Sequence, residues 1–430
     1  MNILIINEVL GHTSTGKICA EIAEKFESEG HSVKVAYGRD DLVPDKYRKF
    51  AIRIGSDTGV KVSALQTRLF DNHGLANKND TKRFLQWAEA FNPDLLWLHN
   101  LHGYYINYEI LFTWIKKRPN MEVKWTLHDC WSFTGHCTHF TAIKCNKWMQ
   151  QCAKCPQKRC YPASLLVDAS ESNYVRKKKA FTGVKNLSII TPSKWLADIV
   201  SQSFLNEYPI EVHYNTINKD IFKPISSDFR REYSLQSKTI ILGVANVWNE
   251  RKGLYDFFTL AQMLDNKYAI VMVGLTEKQI NELPQKIEGL RQVNFTHTSY
   301  NATVFSSENS IDNQTSNEKS SDEKCFIESK SDGFINKNGK VVRQDVNAVY
   351  EAITGEKYIG DGQFKAHCLI AFAHTRNQIE LAQLYSVADY FVNMTYEDTY
   401  PTVNLEAIAC GTKVITYDTG GCAETIGDTK

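Results

Sequence analysis

The sequence predicts an α/β protein with two doubly wound parallel sheets. Short apolar runs suited to buried strands alternate with amphipathic helical patterns along most of the chain. This alternation occurs twice, once on each side of residues 214–224. The length of 430 residues and the hydrophobic content of 43% suffice for two cores, whereas one domain of this size would be unusual. We therefore expect a first domain over residues 1–213, a linker over 214–224 and a second domain over 225–430.

The first domain shows the alternation from its start. Its first apolar run is followed by a glycine-bearing stretch from Gly11 to Gly16, which we interpret as a loop. A helix is predicted from about Lys17, and Gly30 is placed to end it. The buried stripe of this helix consists of Ile18, Ile22 and Phe26. The strand candidates of the domain are residues 3–6, 33–37, 95–98, 123–127 and 187–190.

The second domain repeats the scheme but contains one stretch of different composition. Ser, Asn, Asp, Glu and Lys dominate residues 300–333, and such a composition cannot bury enough apolar surface to offset the entropy of ordering. We interpret residues 294–365 as a partly disordered insertion with a short helix near 346–350. This insertion either contributes to selectivity for the donor or a partner, or is a surface segment without a function. The strand candidates of this domain are residues 239–244, 269–273, 369–372, 390–392 and 414–416.

Charge and hydropathy exclude several classes of protein. A net charge of +1 gives no general attraction to nucleic acid or to an anionic membrane, and no apolar run reaches the roughly 18–20 residues of a membrane span. The start of the chain lacks the basic region of a secretory signal, and eleven cysteines, an odd number, argue against a disulfide framework. We expect a cytoplasmic protein with no nucleic-acid partner and at most a peripheral contact with the inner face of the membrane.

Two carboxylates on a predicted strand–loop–helix unit are the most informative feature. Asp398 precedes a helix candidate, Glu406 lies inside it, and Gly411 can end it. Such a unit places free N–H groups and the positive end of the helix dipole at the carboxyl edge of a sheet, where an anionic group can bind. Both carboxylates would then face the hydroxyl groups of a ligand. The alternative interpretation is that Asp398 caps the helix and that Glu406 is a solvated helix residue.

The stretch from Asp398 to Glu406 resembles the E-x7-E signature of the family 4 retaining glycosyltransferases, which use nucleotide sugars. These enzymes have the GT-B fold, in which two Rossmann-like domains face a cleft. The resemblance implies that Asp398 contacts the donor sugar and that Glu406 contacts the ribose of the nucleotide. Glu397 competes with Asp398, because the family usually has Glu at this position, and Pro401 replaces a usual Gly and has no N–H to donate. The remaining amide candidates are Thr402 and Val403.

Two further segments carry groups that a diphosphate needs. Arg251 and Lys252 directly follow a strand candidate, and cations bind a diphosphate and stabilise the charge that develops as it leaves. The resemblance implies that both bind the donor, with Arg251 in place of an Arg that the family has earlier. In the first domain the resemblance places Gly16 beside the diphosphate, together with Ser14 and Thr15. The alternative for Arg251 and Lys252 is a solvated loop that binds no ligand. The alternative for Gly16 is a plain turn whose neighbouring hydroxyls cap a helix.

Histidines follow two strand candidates of the first domain. His128 and Asp129 come after one strand, and His99 and His102 come after another. The carboxyl ends of parallel strands meet at one edge of the sheet, where ligands bind. The resemblance implies that His128 approaches the donor sugar, and we assign His99, His102 and Asp129 to the acceptor side. Each of these histidines can equally be a core residue with no ligand.

A cysteine-rich segment between residues 130 and 160 contains six of the eleven cysteines. Four of them have spacings that fit a structural zinc site, and the last two are separated by two residues as in a zinc knuckle. Because the segment is poor in aliphatic residues, a metal ion would supply order that a core cannot. The alternatives are free thiols and labile disulfides. The four candidate ligands are Cys137, Cys145, Cys152 and Cys155.

These motifs together predict a retaining glycosyltransferase that moves a sugar from a nucleoside diphosphate sugar to a glycan or a lipid-linked glycan in bacterial surface polysaccharide synthesis. Residues 99–105, 134–137 and 191–196 resemble colanic-acid-type polysaccharide glycosyltransferases. The resemblance implies that catalysis needs no cofactor, so the zinc would be structural. The catalytic residues expected are Asp398, Glu406, His128 and Lys252.

The same residues are compatible with two other functions. One is a nucleotide-sugar epimerase or hydrolase with the same fold. The other is an inactive scaffold with a structural zinc site, which the departures from the family pattern at Asp398 and Pro401 keep open. GT-B enzymes usually continue beyond the point that corresponds to Lys430, so we also expect part of the second domain to be missing.

Overall fold

The computed structural model describes residues 1–40, 42–287, 289–293, 299–306, 335–336, 339–359 and 368–427. The chain divides between Tyr214 and Asn215 into two compact units. Each unit has a sheet and hydrophobic clusters of its own. Within the described ranges, every helix is too short or too polar to cross a bilayer.

The first unit is built from seven strands and six α-helices. The strands are β1 (Asn2–Ile6), β2 (Ser32–Tyr37), β3 (Ala51–Arg53), β4 (Leu95–Leu98), β5 (Glu122–Thr126), β6 (Leu187–Thr191) and β7 (Ile210–Val212). The helices are α1 (Thr13–Ser28), α2 (Asp57–Phe70), α3 (Lys78–Phe91), α4 (Tyr108–Lys116), α5 (Ser170–Phe181) and α6 (Lys194–Val200). Short 3-10 helices span Asp45–Phe50, Trp131–Phe133 and Lys147–Met149.

The sheet of the first unit is parallel throughout, with the strand order β3-β2-β1-β4-β5-β6-β7. The chain winds outward from β1 to β3 and then returns to place β4 on the other side of β1. In such sheets the loops after the two central strands diverge, and a crevice for ligands forms outside their carboxyl ends. The switch point between β1 and β4 is therefore where a site is expected.

The first helix is longer than predicted. It begins at Thr13 instead of near Lys17, so most of the stretch interpreted as a loop is its first turn. The stripe predicted to be buried, Ile18, Ile22 and Phe26, is only partly buried, although Ile22 and Phe26 pack against the core. Small side chains face the sheet instead and allow the helix to lie close to it. The buried residues of α1 are Gly16, Cys19, Ala20 and Ala23.

The second unit adds the remaining strands and helices. The strands are β8 (Thr239–Val244), β9 (Tyr268–Val273), β10 (Arg291–Val293), β11 (Thr303–Ser306), β12 (Ile335–Asn336), β13 (Gly339–Val342), β14 (Cys368–Phe372), β15 (Tyr390–Asn393) and β16 (Lys413–Tyr417). The helices are α7 (Phe229–Glu232), α8 (Leu254–Met263), α9 (Glu277–Lys286), α10 (Val346–Thr354), α11 (Gln378–Val387), α12 (Thr402–Ala409) and α13 (Cys422–Thr425). One 3-10 helix spans Glu250–Lys252.

The sheet of the second unit has the order β10-β11-β14-β9-β8-β15-β16-β13-β12. Its central strands pair in parallel, and the edges add antiparallel pairs between β10 and β11, β11 and β14, and β12 and β13. The strand order reverses between β8 and β15, which makes this the switch point of the second sheet. Every strand predicted in either half is present, and the predicted α/β class with doubly wound parallel sheets is confirmed.

The described parts of the predicted insertion are integrated into the second sheet. Strand β11 pairs with β14, and β13 pairs in parallel with β16, so these parts do not form an excursion over the surface. Phe305 and Val349 are buried in the core of the unit. The short helix expected near residues 346–350 is present as α10. Residues 307–334 and 360–367, where most of the predicted disorder falls, lie outside the described residues.

A buried chain of side-chain hydrogen bonds attaches α12 to its neighbours. The Nδ2 of Asn393, on β15, donates to Oδ1 of Asn404 over 2.9 Å. The Nδ2 of Asn404 donates in turn to Oγ1 of Thr425, on α13, over 2.8 Å. All three residues are buried. Because a buried polar group left without a partner costs about 1–3 kcal/mol, these bonds fix α12 against β15 and α13.

Replacing Asn404 with Ala removes one hydrogen bond from each of Asn393 and Thr425. We expect the free energy of unfolding of the second unit to fall by roughly 2–4 kcal/mol, because two buried polar groups lose a hydrogen bond. Urea unfolding of the full chain, followed by circular dichroism, measures the change. Asn281→Ala, at an exposed position of α9, is the matched control. Equal effects of the two variants would contradict the structural role of Asn404.

Candidate functional site

The charged groups predicted in the second domain lie together at the switch point of its sheet. Arg251 and Lys252 are in the loop after β8, and Glu397 and Asp398 are in the loop after β15. Although the two pairs are far apart in sequence, β8 and β15 are neighbouring parallel strands, so both loops leave the same edge of the sheet. The topology therefore brings two cations and two carboxylates to one place.

Lys252 and Asp398 form the ion pair at the centre of this site. The Nζ of Lys252 lies 2.6 Å from Oδ2 of Asp398, and the two side chains are 23% and 18% exposed. The N–H of Tyr400 donates to the other carboxylate oxygen over 3.2 Å. A lysine ammonium has three N–H donors, so one bond to Asp398 leaves donors for an anionic ligand. The pair thus holds a cation in a fixed, partly shielded position.

Arg251 connects the two loops through their backbones. Its Nη1 donates to the carbonyl oxygen of Glu397 over 2.8 Å, and its own carbonyl accepts from the N–H of Tyr396 over 2.8 Å. Glu397 is only 2% exposed, whereas Asp398 reaches the surface beside Lys252. Of the two adjacent acids, the geometry therefore favours Asp398 as the one that meets a ligand.

Two glycines allow the backbones around this ion pair to approach closely. Gly253 has φ of 74°, and a Cβ atom there would overlap the carbonyl oxygen of Met394 at the end of β15. Gly420 has φ of 54°, and a Cβ atom there would overlap the carbonyl oxygen of Asp398. The N–H of Gly421 donates to that same oxygen over 3.1 Å. Only glycine fits either position without moving the loop that carries Asp398.

Helix α12 begins immediately after this loop. Pro401 is its N-cap residue, so the alternative in which Asp398 caps the helix is wrong. Thr402 and Val403 are its first residues, and their N–H groups lie at the positive end of the helix dipole. The Oε2 of Glu406 accepts from the hydroxyl of Tyr385, a fully buried residue, over 3.1 Å. Glu406 is therefore anchored on one side by α11 and is not a freely solvated helix residue.

The switch point of the first sheet is also polar. Asn7 and Glu8 follow β1, and Asn100 follows β4. The Oδ1 of Asn7 accepts from the N–H of Asn100 over 3.2 Å, and Nδ2 of Asn100 lies 3.4 Å from Oε1 of Glu8. Sequence analysis did not identify Glu8. Its only sequence signal is its position two residues after an apolar strand, which many loop residues share.

His99 and His128 form a neutral pair beside this point. The Nδ1 of His99 lies 3.0 Å from Nε2 of His128, and the rings stack with 16° between their planes. Burial lowers the pKa of both imidazoles, that of His128 to about 4. The Nε2 of His99 is buried and has no partner in the described part of the chain. Since a buried unpaired acceptor is tolerated better than a buried unpaired N–H, we assign the shared proton to Nδ1 of His99.

His102 and Asp129 form a charged pair a few residues away. The Nε2 of His102 lies 2.8 Å from Oδ2 of Asp129, whose other oxygen accepts from the N–H of Trp131. Burial lowers the pKa of His102, but the charge and hydrogen bond of Asp129 outweigh this and raise it overall. Burial raises the pKa of Asp129, and the charge and hydrogen bond of His102 then lower it to about 2. The three histidines and Asp129 that were predicted after these two strands are thus at one sheet edge.

Gly16 lies within α1 and packs against the chain just after β1. A Cβ atom on Gly16 would lie 3.0 Å from Cγ2 of Val9 and 3.2 Å from the backbone nitrogen of Gly11. The N–H of Gly11 donates to the carbonyl of Gly16 over 2.9 Å. This close approach accounts for a glycine at position 16 without a ligand, and the assignment of Gly16 to a donor diphosphate stays a prediction.

The cysteine-rich segment packs onto the first unit between β5 and α5. The Nζ of Lys177, a buried residue of α5, donates to the carbonyls of Trp131 and Thr134 over 2.6 and 3.0 Å. One cavity is lined by all four candidate zinc ligands, Cys137, Cys145, Cys152 and Cys155. Within the described ranges, however, no three or more His, Cys, Asp or Glu side chains are arranged to hold a metal ion. The structural zinc site therefore stays a prediction.

Comparisons with known proteins match parts of this chain to glycosyltransferases. The family described as Glycosyl transferases group 1 matches residues 365–430, which include Asp398 and Glu406. The putative colanic acid biosynthesis glycosyl transferase WcaC of Escherichia coli (strain K12) is 26% identical over 209 residues, or 46% of this chain. The aligned region is 50% of that protein, so the chain spans about half the length of the curated relative that it matches.

Solved structures share the fold over nearly the whole chain. A sucrose-phosphate synthase from Thermosynechococcus elongatus has a TM-score of 0.55 at 13% identity, over 98% of this chain and 82% of that one. Anabaena HepE in complex with UDP has a TM-score of 0.53 at 12% identity, and the match covers 99% of this chain and 82% of that one. A UDP-forming trehalose-phosphate synthase from Burkholderia xenovorans has a TM-score of 0.52 at 10% identity, and the match covers 98% of this chain and 85% of that one. The GT-B fold that the resemblance implies is thus confirmed.

The raised pKa of His102 makes stability depend on pH. Because the folded state binds this proton more tightly than the unfolded state, the contribution is complete below about pH 6.5 and is lost as the pH rises through the folded-state pKa. We expect the difference in the free energy of unfolding between the unmodified chain and His102→Gln to shrink as the pH rises above about 6.5, the ordinary pKa of histidine. Urea unfolding at a series of pH values measures it. Asp129→Asn should remove the same dependence, and its persistence there would contradict the pairing.

The zinc content of the chain, purified without chelators, tests the predicted zinc site. A structural site with four cysteine ligands is expected to retain a stoichiometric amount of zinc through dialysis, and Cys155→Ser should lose it. Elemental analysis by mass spectrometry gives the metal content. Cys368→Ser, which changes a cysteine of the second unit, is the matched control. Much less than stoichiometric zinc in the unmodified protein would overturn the prediction.

Proposed function

We propose that this chain belongs to a glycosyltransferase that transfers a sugar from a nucleoside diphosphate sugar. The observation that carries the proposal is the Lys252–Asp398 ion pair at the switch point of the second sheet, directly before the N-terminus of α12. A cation, a helix N-terminus and a carboxylate together fit a ligand with an anionic diphosphate and a sugar with hydroxyl groups. The match to the Glycosyl transferases group 1 family over residues 365–430 supports this assignment.

Different residues of the second unit would bind the diphosphate, the sugar and the ribose of the donor. Lys252 and the first N–H groups of α12, from Thr402 and Val403, would bind the diphosphate. Asp398 would accept hydrogen bonds from the hydroxyls of the donor sugar while it keeps the ammonium of Lys252 in place. Glu406, which is held by the hydroxyl of Tyr385, would accept from the ribose hydroxyls. The second carboxylate thus sets the position of the nucleotide, and the first sets that of the sugar.

The reaction we propose proceeds with retention, as in the family 4 glycosyltransferases that the motifs resemble. The bond between the anomeric carbon and the diphosphate oxygen breaks, and a bond from the acceptor oxygen forms on the same face of the sugar. The acceptor proton passes to the departing diphosphate oxygen, so no separate base is needed. The role of the protein is then mainly electrostatic: Lys252 and the dipole of α12 stabilise the negative charge that develops on the diphosphate.

The acceptor in this proposal is a glycan or a lipid-linked glycan in the synthesis of a bacterial surface polysaccharide. The support is the similarity to a putative colanic acid biosynthesis glycosyl transferase over half of that protein's length. The first unit would bind this acceptor through the polar residues at its switch point, with His99, His102 and Asp129 on the acceptor side and His128 towards the donor sugar.

Removing the charge of Lys252 tests the donor site. We expect Lys252→Met to lower the rate of sugar transfer by roughly 10²–10³-fold, because a preorganised donor to the leaving group is lost. The variant should also lose most of the rise in melting temperature that UDP causes in the unmodified chain. Transfer to an extract of lipid-linked glycans and thermal unfolding with UDP or GDP are the two measurements.

Lys278→Met is the matched control, because this lysine belongs to the same unit and its side chain is 84% exposed. Near-normal transfer by Lys252→Met would refute the assignment. Conversion of the donor at the same rate without any acceptor would favour an epimerase or a hydrolase on the same fold. Binding of UDP without turnover of any UDP-sugar would favour an inactive scaffold.

A further inference from the structure

An aromatic cluster lies at the carboxyl edge of the first sheet, beside the His102–Asp129 pair. The ring of His73 lies 4.5 Å from that of Tyr104 and 5.9 Å from that of Tyr161, measured between centroids. The ring of Tyr161 lies 6.1 Å from that of His102. These rings come from three separate segments of the chain, around residues 73, 102–104 and 161, so no single sequence motif contains them all. Apart from His102, the rings of this cluster belong neither to the ion pairs nor to the donor site described above.

Tyr161 presents its ring to solvent while its hydroxyl points inward. The residue is 45% exposed, yet its hydroxyl oxygen lies 3.4 Å from Nδ1 of His102. Burial raises the pKa of this phenol, which agrees with a shielded hydroxyl. A half-exposed aromatic ring that is held at its polar end offers a flat apolar face in a fixed orientation. The cysteine-rich segment, at the end of which Tyr161 lies, thus places a ring at the switch point.

Tyr104 is held in a strained backbone conformation. Its φ is 70°, in the left-handed region that costs a bulky residue about 1–2 kcal/mol. Asn77 donates to its carbonyl oxygen, and the preceding N–H of Gly103 donates to Nε2 of His73 over 3.1 Å. Strain of this kind persists only where the surroundings enforce it, and it is concentrated at binding sites. The surrounding contacts therefore keep Tyr104 at this edge of the sheet, although its conformation lowers the stability of the fold.

His73 supplies an unused hydrogen-bond donor within the cluster. Its Nε2 accepts from Gly103, so its proton is on Nδ1, and burial keeps the pKa of the ring well below its ordinary value. This Nδ1 is buried and has no partner among the described residues. A buried N–H without an acceptor is rare in proteins and indicates a missing ligand or water. The charged pair of Glu8 and Arg39, 3.5 Å apart, flanks the loop that carries Tyr104.

This combination fits a sugar ring. A pyranose has an apolar face of C–H groups, which packs on a flat aromatic ring, and a rim of hydroxyls, which bond to planar polar groups. We propose that Tyr161 and Tyr104, with His73, Glu8 and Arg39, form a binding site for a pyranose ring of the acceptor glycan. The identity of this sugar as the acceptor rests on the proposed function, whereas its binding to the first unit does not.

Saturation-transfer difference NMR on the full chain without nucleotide tests this site. The probes are methyl α-D-glucopyranoside and methyl β-D-galactopyranoside at millimolar concentration, with mannitol as an open-chain polyol that has hydroxyls but no ring face. We expect the glycosides, and not mannitol, to receive saturation. Tyr161→Ala should weaken their binding by roughly 3- to 10-fold, the range expected for loss of one aromatic contact. Tyr161→Phe keeps the ring and should bind nearly as the unmodified chain does.

Tyr358→Ala, which removes an exposed tyrosine of the second unit, is the matched control and should change nothing. If Tyr161→Ala does not fold, Tyr161→Leu provides the same test, since it keeps apolar bulk but no flat ring. Equal saturation of mannitol, or equal binding of the glycosides by Tyr161→Ala, would each overturn the proposal. A failure here with normal UDP binding and Lys252 dependence leaves the donor site intact, so the two proposals fail separately.

Discussion

The ion pair between Lys252 and Asp398 depends on a topological constraint, the reversal of strand order between β8 and β15. Only there do two parallel neighbours send their loops apart and leave room for charged side chains at the carboxyl edge. The surrounding features serve this arrangement. Arg251 connects the loops, Gly253 and Gly420 allow the close approach of backbones, and buried asparagines fix α12. Without the reversal, the same residues would lie on separate loops with no shared site.

Much of the fold could be predicted because buried parallel strands have a local signal. Runs such as residues 239–244 are apolar on both faces, and each one is present as a strand. The start of α1 was predicted wrongly because no side chain of His12 caps it, so the usual N-terminal signal is absent. Edge strands such as β3 and β10 were missed, since three residues of mixed polarity carry no detectable period.

The candidate site was predictable only where its residues are close in sequence or match a known spacing. Asp398, Glu406 and Lys252 were identified in this way, and the structure adds that Lys252 and Asp398 contact each other. The histidines were identified by position, but their charges depend on neighbours that sequence does not show. His99 faces another imidazole and stays neutral, whereas His102 faces a carboxylate and holds a proton more tightly. Contacts between distant segments, such as Tyr161 with His102, have no local signal at all.

The contact between Gly420 and the carbonyl oxygen of Asp398 has a consequence for the way such a site can change. The loop after β16 and the loop after β15 share a backbone contact that excludes every side chain. Substitutions in one loop are therefore constrained by the shape of the other, although position 420 itself has no side chain. In an engineering experiment that redesigns the candidate site around Asp398, both loops would have to be varied together, with Gly420 left unchanged.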